Sequence, residues 1–160
     1  MTGTIRIETD LRVRCPIEEV FDYVADPRNF PQWNSAVEAV RETTAVGVND
    51  VGSRYRLERQ LPTGRAENEL EVVERGRPTA FAIKTTSGPT PFGYRFKLTQ
   101  AADATIIHVD ADTILGVPAS LLAPLLRRAI QRGVEANLAA LKATLETHPR
   151  TPSVGAGSSA

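Results

Sequence analysis

Between Ala36 and Leu115 the chain passes through six stretches of strand-forming residues joined by spacers of only a few residues, and this spacing limits the fold more than any other feature. The stretches are 36–44, 52–61, 65–74, 79–86, 92–100 and 105–115. Between them stand turn formers: Gly47, Asn49 and Asp50, then Pro62-Thr63-Gly64, Gly76 and Pro78, Gly88-Pro89 and Ala102-Asp103. A parallel neighbour needs a crossover of about a dozen residues or more, so consecutive strands must run antiparallel.

The flanks differ in period. From Ile5 to Val13, Ile5, Ile7, Thr9, Leu11 and Val13 alternate with Arg6, Glu8, Asp10 and Arg12, which predicts a strand with one wet face. Pro16, Glu18 and Glu19 then supply first-turn helix residues, and Val20, Phe21, Val24 and Ala25 give a helix near 16–25 its apolar stripe. Asp26-Pro27 stops that helix and caps a second short turn, which Pro31 keeps from extending. From Pro118 to Glu146 the period becomes helical: Leu122, Leu126, Ile130, Val134, Leu141 and Leu145 form one face, with Arg128, Glu135, Lys142 and Glu146 opposite. Residues 148–160 are small, polar and proline-bearing and read as a flexible tail after a single domain spanning 1–147.

Composition narrows the function. A chain of 160 residues suits one domain that buries roughly 70% of its unfolded surface. Nineteen basic residues balance nineteen acidic ones, so no net field draws the chain to nucleic acid. No apolar run has the roughly 20 residues of a membrane span and the N-terminus lacks a signal-peptide apolar region, so the expected location is the cytoplasm, without integral membrane association. Cys15 is the lone cysteine, and with only His108 and His148 it leaves too few soft ligands for zinc; no metal or cofactor is expected.

The segments PIEEVFDYVADPRNFPQWN (16–34), VGSRYRLE (51–58) and LLRRAIQRGVEANLAALKATLE (125–146) resemble the START-like superfamily, also called SRPBCC, and its polyketide cyclase/dehydratase group. The resemblance covers about residues 4–147. It implies an α+β helix-grip fold: a curved antiparallel sheet of about six to seven strands around a long C-terminal helix, two short helices after strand one, and a cavity between sheet and helix. It also puts Phe30 and Trp33, the only tryptophan, at the rim of that cavity or just inside; alternatively Trp33 only plugs the gap between the short helices and the sheet. Either way the indole is buried and its N–H needs a partner.

Strand parity then nominates the lining. Arg59 shares a face with Tyr55, Leu57 and Leu61, so it points inward, unless the strand end lies at an open rim where Arg59 reaches solvent. Asn68 shares a face with Ala66, Leu70 and Val72, and Tyr94 and Phe96 share one with Phe92 and Leu98. On the long helix Asn137 falls inside the apolar stripe and Gly133 at its edge; they either open space and orient a ligand, or mark a close helix-to-strand contact with Asn137 bonded to a neighbour. The candidate binding residues are therefore Trp33, Tyr55, Arg59, Asn68, Tyr94, Phe96, Gly133 and Asn137.

Other motifs read as structural. GVNDVGS (47–53) has the glycine spacing of a phosphate loop but no phosphate-binding lysine, and it joins two strands. His108, Asp110 and Asp112 share a strand face, but Ile107, Val109 and Ala111 form the better inward set; only with the parity reversed would His108 and an acid become catalytic candidates. Cys15 reads as a packing residue, and Arg127, Arg128 and Arg132 as a solvated helix face.

The leading expectation is a protein that binds a small apolar or amphipathic molecule, lipid-like or polyketide-like, as a monomer or homodimer. The alternatives are a cyclase/dehydratase-like enzyme, against which stands the lack of an inward acid or histidine, and a protein-interaction module with a collapsed interior.

Overall fold

A computed structural model describes residues 3–115 and 119–147, the side chains of 119–123 excepted. The expected tail lies outside the described residues, as does the Leu122 side chain of the helical stripe. Element order is β1 (Gly3–Val13), α1 (Ile17–Val24), a 3-10 turn (Pro27–Asn29), α2 (Phe30–Trp33), β2 (Val37–Thr44), β3 (Arg54–Leu61), β4 (Gly64–Gly76), β5 (Ala80–Ser87), β6 (Phe92–Ala101), β7 (Ala104–Leu115) and α3 (Ala119–Thr147). The strands form one antiparallel sheet in the order β1-β7-β6-β5-β4-β3-β2. Only β1 breaks chain order, because α1 and α2 carry the chain from one edge of the sheet to the other before the meander begins. With α3 held in the curve of the sheet, this is the helix-grip arrangement.

Register fixes which side chains face inward. Tyr94 pairs with Ala111 and with Ile83, Phe96 with Val109 and with Phe81, and Leu98 with Ile107. Directly opposed residues share a face, and these are buried except Tyr94, which is partly buried. The outer face carries the partners one residue away. There Arg6 Nε donates to Asp110 Oδ1 at 2.8 Å, and His108 Nδ1 lies 2.6 Å from Asp10. His108 therefore takes the solvated orientation.

The segment before β2 is punctuated as its sequence demands. Glu18 and Glu19 lie in the first turn of α1, where its N-terminal amides favour carboxylates. Asp26 caps the 3-10 turn by accepting the Arg28 backbone N–H at 3.0 Å.

Helix α3 is packed unevenly. Val134, Leu138, Leu141 and Leu145 are buried against the sheet, whereas Leu126 and Ile130 in the preceding turns are only half-buried. An alanine-sized methyl added at Gly133 would meet no neighbour within 4 Å. The expected alternative of a close helix-to-strand contact there is not what the fold contains. No described helix is long and apolar enough to cross a membrane.

Candidate functional site

Beneath the loosely packed half of α3 lies a cavity of about 380 Å³. Its walls come from Ile5 and Ile7 of β1, Leu61 of β3, Phe92 of β6, and Leu126, Ile130 and Val134 of α3. The Pro62-Thr63 turn and Thr90 border it where β3–β4 and β5–β6 reverse. Four of the eight residues nominated from sequence line it: Arg59, Tyr94, Gly133 and Asn137.

Arg59 points toward the cavity from the end of β3 and is only partly buried. Its Nη1 donates to Asn68 Oδ1 at 3.0 Å and to the Thr90 carbonyl at 3.3 Å, and its guanidinium carbon stands 4.5 Å from the centre of the Phe92 ring. Its Nε is buried with no partner among the described residues. Burial pushes the guanidinium down from its ordinary value, as expected when a cation is moved out of water.

Tyr94 is set by a block of aromatic rings. It stacks on Phe96 with centroids 5.8 Å apart and planes at 8°, and Trp33 meets both edge-on at 6.2 and 6.3 Å. Phe30 closes the block, 5.2 Å from Trp33. Such edge-to-face contacts add roughly 0.5–1.5 kcal/mol each beyond area burial. The Tyr94 ring therefore has little freedom, and its hydroxyl has no hydrogen-bond partner among the described residues.

Trp33 and Phe96 stand one layer behind the cavity wall, in the core. Trp33 thus plugs the space between α2 and the sheet. The sequence predicted a partner for its N–H; among the described residues there is none.

Tyr55 and Asn68 face inward as parity requires but do not reach the cavity. Tyr55 lies at the filled end of the sheet, where its hydroxyl bonds to Glu42 at 3.2 Å and to Asn49 of the β2–β3 loop. Asn68 spends its amide on structure: Nδ2 donates to the Ser87 carbonyl at 3.0 Å and the Pro89 carbonyl at 2.9 Å, while Oδ1 receives Arg59. It holds Arg59 in place from behind.

Asn137 both lines the cavity and ties α3 to the chain after α2. Its Oδ1 accepts from the Ser35 N–H at 3.1 Å and hydroxyl at 3.2 Å, and its Nδ2 donates to Asn34 Oδ1 at 3.2 Å. Asn34 is itself buried, lines the cavity and accepts from the Ala36 N–H at 3.1 Å. Sequence reasoning missed Asn34 and Thr90. Asn34 sits in the quoted PRNFPQWN run and had a signal as a polar residue beside the tryptophan; Thr90 acts through its carbonyl, which any residue would supply.

Asp112 also borders the cavity, but its carboxylate lies on the outer face, 2.9 Å from where a methyl on Gly93 would stand. Among the described residues no His lines the cavity, and there is no cluster of three or more His, Cys, Asp or Glu side chains placed to hold a metal ion.

The three tyrosines of the chain give the protein a pH signature. Burial pushes Tyr94 up to about 12, and burial likewise raises Tyr23 and Tyr55, the latter with help from Glu42. The native state thus holds these protons more tightly than the unfolded chain, whose phenols titrate near about 10. The resulting stability is complete below about pH 10 and is lost as pH rises through about 12. In an absorbance titration at about pH 10 the native protein should show clearly less phenolate than the guanidinium-unfolded chain, which should be about half ionised. Equal phenolate in both would contradict the burial described here.

Residues 4–146 match the profile of a family described as "Polyketide cyclase / dehydrase and lipid transport". Among solved structures, the chain is similar to a START superfamily protein from Mycobacterium smegmatis (TM-score 0.74, 18% identity, covering 89% of this chain and 97% of that one). It is also similar to the Zhui aromatase/cyclase from Streptomyces sp. R1128 (TM-score 0.71, 14% identity, covering 90% and 94%). A third similar structure is the di-domain ARO/CYC BexL from the BE-7585A biosynthetic pathway (TM-score 0.70, 17% identity), of which 51% is covered by 91% of this chain. At these identities the likeness is one of fold. A comparison with curated proteins gives no match.

Proposed function

We propose that this chain, which belongs to the polyketide cyclase/dehydrase and lipid transport family, binds a small apolar or amphipathic molecule in the cavity under α3. The observation that carries the reading is the cavity itself: about 380 Å³, walled by aliphatic and aromatic side chains, with Arg59, Tyr94 and Asn137 as its convergent polar groups. That size and composition fall within the range of small-molecule sites, about 300–1,000 Å³. A collapsed interior, as a pure protein-interaction module would have, is not present.

A cyclase or dehydratase reading finds less support. Polarising a carbonyl would fall to Arg59 or Tyr94, but removal of an alpha proton needs a base within hydrogen-bond reach, and neither His108 nor the Asp112 carboxylate faces the cavity. The ligand is held and released unchanged.

Gly133 provides the test. It borders the cavity at a solvent-exposed edge of α3, where an added side chain would stand at the entrance and meet no neighbour within 4 Å, and glycine in a helix interior costs about 1 kcal/mol relative to alanine. Gly133→Leu should therefore narrow the cavity without lowering the melting temperature. Native mass spectrometry of protein purified from its own host should show a retained small molecule in the parent and less of it in the variant. Equal retention in both would place the ligand elsewhere.

A further inference from the structure

We propose that the cavity selects an amphipathic carboxylic acid, its carboxylate held by the Arg59 guanidinium and the Tyr94 hydroxyl and its hydrocarbon body lying beneath the first half of α3. This rests on the ligand-binding reading above and adds the charge and headgroup of the ligand.

Among the described residues Arg59 is the one cation lining the cavity, and its partners are neutral oxygens, those of the Asn68 amide and the Thr90 carbonyl. Surface arginines of the same chain do find carboxylates: Arg28 bonds Asp26 and Arg77 bonds Asp22, each at 2.8 Å. The inward arginine, where an uncompensated charge costs most, has no such partner among the described residues. Only Nη1 is engaged, so the guanidinium keeps unused donors. Stacking on Phe92 and the bond to Asn68 fix its plane without neutralising it.

A ligand anion would supply the missing charge, and the unpartnered Tyr94 hydroxyl adjacent in the cavity wall would donate to its second oxygen. A planar two-oxygen monoanion suits one guanidinium and one hydroxyl. A phosphate near neutral pH carries up to two charges, and among the described residues no second cationic side chain lines the cavity to meet them. Ile5, Ile7, Leu61, Ile130 and Val134 offer hydrocarbon to the ligand body, and the polar groups that Asn34, Thr63 and Asn137 add to the lining are neutral.

The test is calorimetric titration of the full chain near neutral pH with dodecanoate, dodecanol and dodecyl phosphate. Dodecanoate should bind about tenfold or more tighter than dodecanol, the scale of one charge-assisted hydrogen bond. In Arg59→Gln that gap should collapse to about twofold. Should Arg59→Gln fail to fold by circular dichroism, Tyr94→Phe, which keeps the ring block, should narrow the gap by about threefold or more. A gap that survives both substitutions, or dodecanol binding as tightly as dodecanoate, overturns the proposal while leaving a neutral-ligand carrier standing. Dodecyl phosphate binding tighter than dodecanoate overturns the carboxylate assignment. Binding of none of the three overturns this proposal and the ligand-binding reading for alkyl amphipaths together.

Discussion

Gly88→Ala is expected to destabilise the protein by about 3–5 kcal/mol, lowering the melting temperature by on the order of 10 °C. Gly88 has φ +96°, a conformation open to glycine and strained for residues with a side chain. A methyl there would stand 2.3 Å from the Glu67 carbonyl oxygen, 2.6 Å from Asn68 Nδ2 and 2.9 Å from the Asn68 Cα. Two of those atoms belong to backbone, so no side-chain rotation relieves the clash. The strain of a forced positive φ is about 1–3 kcal/mol. The rest comes from Asn68, whose amide must move away from the Ser87 and Pro89 carbonyls, leaving buried polar groups unpaired at about 1–3 kcal/mol each. Because Asn68 also anchors Arg59, the variant should lose ligand affinity even under conditions where it remains folded. Urea unfolding measures the first effect and calorimetric titration the second. A stability change under about 1 kcal/mol would mean that the β5–β6 turn is not packed as described.

The second large effect concerns α3. Leu141→Ala should cost about 2–5 kcal/mol, because Leu141 is fully enclosed and its truncation leaves a void that close-packed neighbours cannot fill. Ile130→Ala, on the same stripe three turns earlier, should cost only about 1 kcal/mol. Ile130 already borders the cavity and is half-exposed, so its removal enlarges a space that exists and creates no new one. Chemical denaturation of the two variants side by side checks the contrast. Equal losses would mean that the first half of the helix rests on packed side chains and not on open space.

Parity and periodicity made much of this legible in advance. The inward set of β6 follows from alternation alone, and so does Arg59 on the face of Tyr55 and Leu57. Asn137 inside the helical stripe, with Gly133 beside it, followed from 100° per residue. What alternation does not contain is position along the groove. Tyr55 and Arg59 point to the same side four residues apart, yet one ends in a filled region and the other in a cavity. The difference comes from elements distant in sequence: the β2–β3 loop brings Asn49 against the Tyr55 hydroxyl, while the β5–β6 turn gives Arg59 one carbonyl and leaves its Nε without a partner among the described residues. Asn68 shows a second limit. Its facing was right, but its partners are carbonyls of the β5–β6 turn, whose geometry depends on a glycine twenty residues away. Trp33 shows a third, since a bulky residue among prolines signals burial without saying whether it forms the wall or stands behind it.

The uneven seating of α3 makes it a rod clamped at one end. Local opening draws on the stretch with the fewest enclosed contacts, here the turns around Leu126 and Ile130, while the clamp formed by Leu138, Leu141 and Leu145 stays shut. Deflection of the free end would admit a guest without loosening the anchor. If the cavity takes a guest, one continuous helix would thereby divide its labour: one segment would hold the fold together and the other would govern entry and exit.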